Sequence, residues 1–234
     1  LTDLVAKSDV ITYEFENVPM RSAYFLNARG NLYPPPVALE IGQDRVAEKT
    51  FFRLLGIPTP AFAAVDTLAD LPAAAAEIGF PAVLKTRRMG YDGKGQWLLR
   101  TPSDLATVDA PPDALAHGLV LEAWVRFDRE LSVIAARGRN GDIVYYPLTQ
   151  NTHHNGILHM SRSPLANTPD ATAYAYAKSI LEALNYVGVL AIELFDAGGT
   201  LLVNEMAPRV HNSGHWTIDG ALTSQFENHL RAIA

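Results

Sequence analysis

The chain has 234 residues, 48% of them hydrophobic, with a formal net charge of −6 and no cysteine. That is enough apolar sequence for a real core, while no run approaches the ~20 apolar residues a membrane helix needs. The missing cysteines exclude a disulfide framework, a thiolate zinc site and a cysteine nucleophile and point to a reducing, cytoplasmic setting, and the acidic balance argues against a general nucleic-acid binder.

Leu1 to Lys7 reads as the tail of a helix and Phe226 to Ala234 stops inside another, the pattern expected of a fragment. Val10 to Tyr13 is a short β-type run leading into Glu14 and Glu16, and Met20 to Ala28 reads as a helix. Pro34-Pro35-Pro36 cannot lie inside a helix or a central strand, so a domain boundary is expected there. Asp44 to Leu55 reads as a helix with Val46, Phe51, Leu54 and Leu55 as its apolar stripe and Gly56 as its stop. Strands follow at 61–65, 82–85 and 96–100, with an Ala-rich helix at 68–78 between the first two. Strands 119–124 and 130–137 read as adjacent, and 142–147 as a hairpin partner across Asn140-Gly141. A helix at 171–184 precedes strands 187–196 and 200–205, joined by Ala197-Gly198-Gly199. Helices mixed with hairpins predict an α+β fold rather than a doubly wound sheet.

The segment Gly90-Tyr91-Asp92-Gly93-Lys94-Gly95-Gln96 lies between two strands. Glycine lets backbone N–H groups approach a phosphate, and Lys94 can reach one as a point charge. The loop fits neither the Walker nor the Rossmann pattern, and alone it reads equally well as a hairpin tip. Lys85, at the end of the preceding strand, is well placed for α- and β-phosphates, although a strand-end lysine can also be merely solvated.

Glu193 and Glu205 each interrupt an apolar strand, and counting back from Gly198-Gly199 brings them near each other. Two carboxylates in apolar surroundings repel and are costly to desolvate, and a divalent cation relieves both effects. Magnesium completed by phosphate oxygens, with Asn204 as a neutral ligand, is favoured over two glutamates on a solvent face. The following segment packs Arg209, His211, Asn212, Ser213 and His215 into a stretch with no helical or strand period, so it reads as a functional loop in which Arg209 can grip a carboxylate or phosphate.

A Lys-bearing strand, a Gly-rich loop, a clamping strand and two acidic strands in this order resemble the ATP-grasp superfamily. Within it, Tyr91 to Gln96, Gln150-Asn151-Thr152-His153 and Asn204-Glu205 to Trp216 are similar to the carboxyaminoimidazole ribonucleotide synthase family, as is Tyr13 to Pro19. The resemblance covers nearly the whole chain, and 209–215 is its most specific part. It implies an ATP-grasp fold over 36–234, with a small subdomain at about 60–122 and a larger one at about 123–234, preceded in 1–35 by the remnant of a preATP-grasp domain. It implies ATP and Mg2+ as cofactors and bicarbonate and aminoimidazole ribonucleotide as substrates. The reaction would be ATP-dependent carboxylation through carboxyphosphate, in a cytoplasmic homodimer.

The same resemblance distributes roles. Arg45 and Lys85 would contact phosphates under the loop Gly90 to Gln96. Glu122, Ala123, Trp124 and Val125 would read the adenine edge through backbone groups, Glu130 would hold the ribose, and His153, Asn204 and Glu205 would lie against the nucleotide. Glu193 and Glu205 would hold magnesium. Arg209 and His211 would hold bicarbonate or carboxyphosphate, Glu14, Tyr91, Asp92 and Asn212 would face the second substrate, and Asp92 would accept the amine proton. The family's first Rossmann-like strand and its C-terminal domain have no counterpart here, so the chain is expected to bind ATP and to bind its second substrate poorly. Competing readings are another ATP-grasp ligase, of the formate-dependent purine or biotin carboxylase type, and a nucleotide-binding module without activity.

Overall fold

The structure, a computed structural model, describes residues 1–90, 94–166 and 168–234. The chain begins with helices α1 (Thr2–Lys7), α2 (Met20–Asn27), α3 (Pro36–Gly42) and α4 (Arg45–Leu54). Then come β1 (Phe62–Val65), α5 (Leu71–Ile78), β2 (Ala82–Thr86), β3 (Gln96–Leu99), α6 (Pro112–His117) and β4 (Leu119–Ala123). The rest holds β5 (Arg129–Arg137), β6 (Ile143–Tyr145), β7 (Thr149–His154), β8 (Ile157–Arg162), α7 (Asp170–Ala183), β9 (Gly188–Ala197), β10 (Thr200–Ala207), α8 (Thr217–Gly220) and α9 (Gln225–Ile233).

The strands form two sheets, one in the order β1-β4-β2-β3 and the other in the order β10-β9-β5-β7-β8 with β6 paired to β5. Every pairing between these strands is antiparallel, as the α+β expectation requires. In the small sheet Ala82, Leu84, Leu119 and Leu121 face a core closed by Leu71, Ala74 and Ala75 of α5. Strand periodicity turns Val83, Lys85 and Glu122 to the opposite face. In the large sheet Leu131, Val133, Leu190, Ile192 and Leu194 pack on Ala173, Ala177, Ile180 and Leu181 of α7. Those four helical positions are spaced i, i+4, i+7 and i+8, a single α-helical face. Among the described residues, no helix is long and apolar enough to cross a membrane.

Several local expectations need correction. Val10 to Tyr13 makes only an isolated parallel bridge, Ile11 to Leu32. The triple proline stays out of any helix interior as expected, but Pro36 opens the unexpected helix α3 at a position whose N–H has no intrahelical partner. Strands β4 and β5 are not adjacent but belong to different sheets, the chain crossing between them at 124–128. The β7–β8 hairpin is an addition to the expected strands, although its Asn155-Gly156 turn has both residues at positive φ, 53° and 78°, as a two-residue hairpin turn demands.

Helix α4 departs most from expectation. Asp44 caps it, accepting from the Val46 and Ala47 N–H groups at 3.0 and 3.2 Å. The buried residues are Glu48, Lys49 and Phe52, while Leu54 of the expected apolar stripe is 81% exposed. Arg45, Glu48, Lys49 and Phe52 fall at i, i+3, i+4 and i+7, so the inward face is helical in period but mostly charged.

Candidate functional site

One face of the large sheet carries the chemistry. Along β9, Val189 and Ala191 pack with Ala207, Val210 and Trp216, and the same face continues outward as Glu193. Glu193 lies opposite Glu205 of β10 on one side and Ser132 of β5 on the other. The Glu193–Glu205 pairing depends on a bulge between Val203 and Glu205, since regular counting from the turn would set Asn204 opposite Glu193. Two like charges directly across a ladder are unfavourable. Burial first, and then the charge of Glu205, push the Glu193 carboxyl up to about 8. A divalent cation would relieve this repulsion. No group of three or more His, Cys, Asp or Glu among the described residues forms a metal cage. Two carboxylates alone fit magnesium, which takes few carboxylates and completes its shell with phosphate and water oxygens.

The next two strands extend the face. Asn151 of β7 is buried and donates to Ser132 Oγ at 2.5 Å while accepting from Ser161 Oγ at 2.9 Å. His153 Nδ1 is ion-paired with Glu130. The hydrogen bond to that carboxylate, followed by burial acting in the opposite sense, leaves the His153 imidazole above its ordinary value.

Cations reach the face from α4 and the small sheet. Arg45 lies 3.5 Å from Glu205, and Lys85 Nζ is 2.9 Å from Glu122 Oε2. Glu122 is only 3% exposed, and its Oε2 also meets Lys49 Nζ at 3.2 Å. Burial works against the Glu122 charge, but Lys49 and Lys85 together hold its carboxyl below the usual range. The buried pair of Lys49 and Glu48 is absent from the sequence-derived site. The face they share with Arg45 was the available signal.

The segment after β10 adds Arg209 and His211. Arg209 Nε meets Glu16 Oε1 at 2.9 Å, and its Nη1 donates to the Val210 carbonyl at 2.9 Å. His211 Nδ1 lies 2.8 Å from Ser213 Oγ and 3.3 Å from the Ser213 N–H, and Nε2 lies 3.6 Å from Glu193 Oε1. Burial and then Arg209 lower the His211 imidazole to about 4, so it is neutral at pH 7.

These groups converge. A cavity of about 430 Å3 is lined by Arg45, Lys85, Gly90, Gln96, Glu130, His153, Glu193, Asn204, Glu205, Arg209, His211 and Asn212 from the sequence reading, together with Glu16. An adjoining cavity of about 560 Å3 shares Glu16, Gly90, Arg209 and Asn212 with it and adds Glu14. Lys94 and Gly95 instead line a third cavity with Arg88, Asp113 and His117, away from the acidic pair. Trp124 is exposed, and the Ala123 and Trp124 N–H groups already donate to the Ala61 and Pro81 carbonyls. The Val125 N–H has no backbone acceptor among the described residues. Tyr91, Asp92 and Gly93 lie outside the described residues.

Residues 50–226 match the model of the ATP-grasp domain, and residues 1–43 match that of the ribonucleotide synthetase preATP-grasp domain. The chain is 50% identical over 234 residues to the N5-carboxyaminoimidazole ribonucleotide synthase of Pseudomonas aeruginosa, covering 100% of this chain and 64% of that protein. The crystal structure of N5-carboxyaminoimidazole ribonucleotide synthetase from Thermus thermophilus is similar with a TM-score of 0.90 at 52% identity, covering 99% of this chain and 63% of the other. A crystal structure of N5-carboxyaminoimidazole synthase from Aspergillus clavatus, in complex with ADP and 5-aminoimidazole ribonucleotide, gives a TM-score of 0.88 at 28% identity, covering 99% and 61%. The chain thus spans less than two thirds of the length of each of these relatives.

Proposed function

This chain belongs to the ATP-grasp family, and on that premise we propose that it is the nucleotide-binding part of a cytoplasmic enzyme that carboxylates 5-aminoimidazole ribonucleotide with bicarbonate, driven by ATP, in purine synthesis. The observation that carries the proposal is the register of Glu193 against Glu205 beside Arg45, Arg209 and His211. The adjoining second cavity suits a two-substrate reaction, and the relative crystallised with ADP and 5-aminoimidazole ribonucleotide names the same pair of ligands.

In this reading Glu193 and Glu205 hold magnesium. The chemistry such an ion would supply is positive charge that offsets the charge developing on the transferring phosphoryl group. Lys85 and Arg45 hold the phosphates, the Val125 N–H meets the edge of the base, and Glu130 takes the ribose hydroxyls. A bicarbonate oxygen attacks the γ-phosphorus and ADP leaves. Arg209 and neutral His211 orient the bicarbonate and then the carboxyphosphate. The carboxyl group passes to the exocyclic amine as phosphate departs, and Asp92 takes the amine proton. The loop from Gly90 to Gln96 excludes water from the labile intermediate.

Calorimetric titration of this chain with ADP, with and without magnesium, tests the nucleotide half of the proposal. Magnesium is expected to tighten ADP binding by roughly tenfold or more, and Glu205→Gln to abolish that gain. A gain retained in Glu205→Gln would refute the assignment.

A further inference from the structure

We propose that Glu48 and Lys49 of α4 are positioning residues for the acidic pair, acting through the backbone of β10. The proposal rests on the magnesium reading above and deepens it. It starts from the bulge. Without it, β10 would pair regularly with β9, with Val203 opposite Leu194, then Asn204 opposite Glu193 and Glu205 opposite Ile192. Because strand side chains alternate, Glu205 would then point to the core face that holds Ile192, and the carboxylate pair would not exist. The extra residue at Asn204 is what brings Glu205 into line with Glu193.

A bulged edge strand needs partners for its displaced backbone groups. β10 is the end strand of its sheet, and its outer side is met by side chains and loop rather than by another strand. Lys49 Nζ donates to the Asn204 carbonyl at 3.0 Å, and Glu48 Oε1 accepts from the Met206 N–H at 2.7 Å. These two backbone groups flank Glu205. Just before them, the Val203 N–H donates to the Pro58 carbonyl at 2.8 Å, and Thr59 Oγ1 donates to the Val203 carbonyl at 2.8 Å. The partners of these four backbone groups all come from 48–59.

Glu48 and Lys49 are 2% and 1% exposed. Ionisable groups that deep are poor stabilisers compared with apolar residues of the same volume, so a geometric role accounts for them better than stability does. Lys49 also keeps Glu122 paired at 3.2 Å, which ties the bulge to the strand pair that presents Lys85.

The test uses Glu48→Leu, Glu48→Gln and Lys49→Met in the 234-residue chain, with two readouts. The first is hydrogen exchange of the Met206 amide without ligand. The second is the ratio of ADP affinities with and without magnesium. Glu48→Leu is expected to speed Met206 exchange at least ~10-fold and to cut the magnesium-dependent gain by roughly 10–100-fold, with magnesium-free ADP affinity little changed. Glu48→Gln keeps an acceptor oxygen and should restore both readouts. Lys49→Met should reduce the magnesium-dependent gain and, if Glu48→Leu does not fold, decides the matter alone. Unchanged exchange in Glu48→Leu, or an intact magnesium gain in folded Lys49→Met, would overturn the proposal. Absence of any magnesium effect in the unmodified chain would sink the functional reading instead, while Met206 exchange would still judge the clasp.

Discussion

Replacing Glu193 by Gln should make the metal-free chain more stable at alkaline pH. The carboxyl is raised from 4.5 to about 8 by burial and by Glu205, and its side chain is 18% exposed. The folded chain therefore holds a proton that the unfolded chain has lost between those two values. The associated stability is complete below pH 4.5, falls across pH 4.5 to 8, and is gone above pH 8. At about 1.4 kcal/mol per pH unit, full desolvation would make the fall about 5 kcal/mol, and residual exposure lowers this to about 3–5 kcal/mol. Gln carries no charge in either state, so the variant lacks this decline. The two proteins should match near pH 4.5, and the variant should lead by about 3–5 kcal/mol at pH 8.5, on the order of 10 °C in Tm for a chain of this size. Thermal unfolding in EDTA at pH 5, 6.5 and 8.5 measures the difference. With ATP and magnesium the lead should shrink, because the variant lacks the magnesium-dependent part of the stabilisation by ligand. Parallel pH profiles in EDTA, or a variant that is weaker at pH 8.5, would show that Glu193 is not the strained partner of Glu205.

His229 accepts the Val189 N–H at Nδ1 (3.1 Å) and meets Thr12 Oγ1 at Nε2 (2.8 Å), and burial lowers it to about 4. Stability should therefore fall as pH drops from 6.5 to 4, by about 3 kcal/mol from this group, and urea titrations should show that part of the acid limb missing in His229→Gln. Gly95 has φ +68°, and a Cβ there would lie 2.6 Å from Thr86 Cγ2, so Gly95→Ala should cost about 1–3 kcal/mol in chemical denaturation. Lys85→Met should weaken ADP binding roughly tenfold while leaving the far-ultraviolet spectrum and Tm nearly unchanged, because Lys49 still holds Glu122. A collapse of the fold instead would mean that one lysine does not suffice for that buried carboxylate.

Helices α2, α4, α5 and α7 and the β5–β6 and β9–β10 hairpins were legible in the sequence because each rests on local chemistry. Asp44 and Gly56 bracket α4, and Gly198-Gly199 joins β9 to β10, with both glycines at positive φ. What could not be read was the partition of strands between sheets. Strands 119–123 and 129–137 are close in sequence and look alike in composition, but whether the chain turns back or crosses over at 124–128 is decided by distant partners: β1 and β2 for one strand, β7 and β9 for the other. The inward face of α4 escapes the sequence for a related reason. Apolar residues dominate any reading of periodicity, and this face buries Glu48 and Lys49, whose partners stand about 155 residues further along the chain.

The acidic pair marks the limit of counting most sharply. From the Gly198-Gly199 turn, residue numbers alone bring Asn204, not Glu205, opposite Glu193. Proximity of the two glutamates was a sound inference, but their shared face was not available from the hairpin, because a strict two-residue alternation puts them on opposite sides of the sheet. The bulge reverses that, and nothing in residues 200–207 announces it. Its signature lies elsewhere, in a charged pair placed on the buried phase of a helix 155 residues earlier. A buried Glu-Lys pair one helical turn after an N-cap aspartate is therefore better searched for as the partner of irregular backbone than dismissed as a solvated face. In this chain, that irregular backbone holds one of the two candidate magnesium ligands.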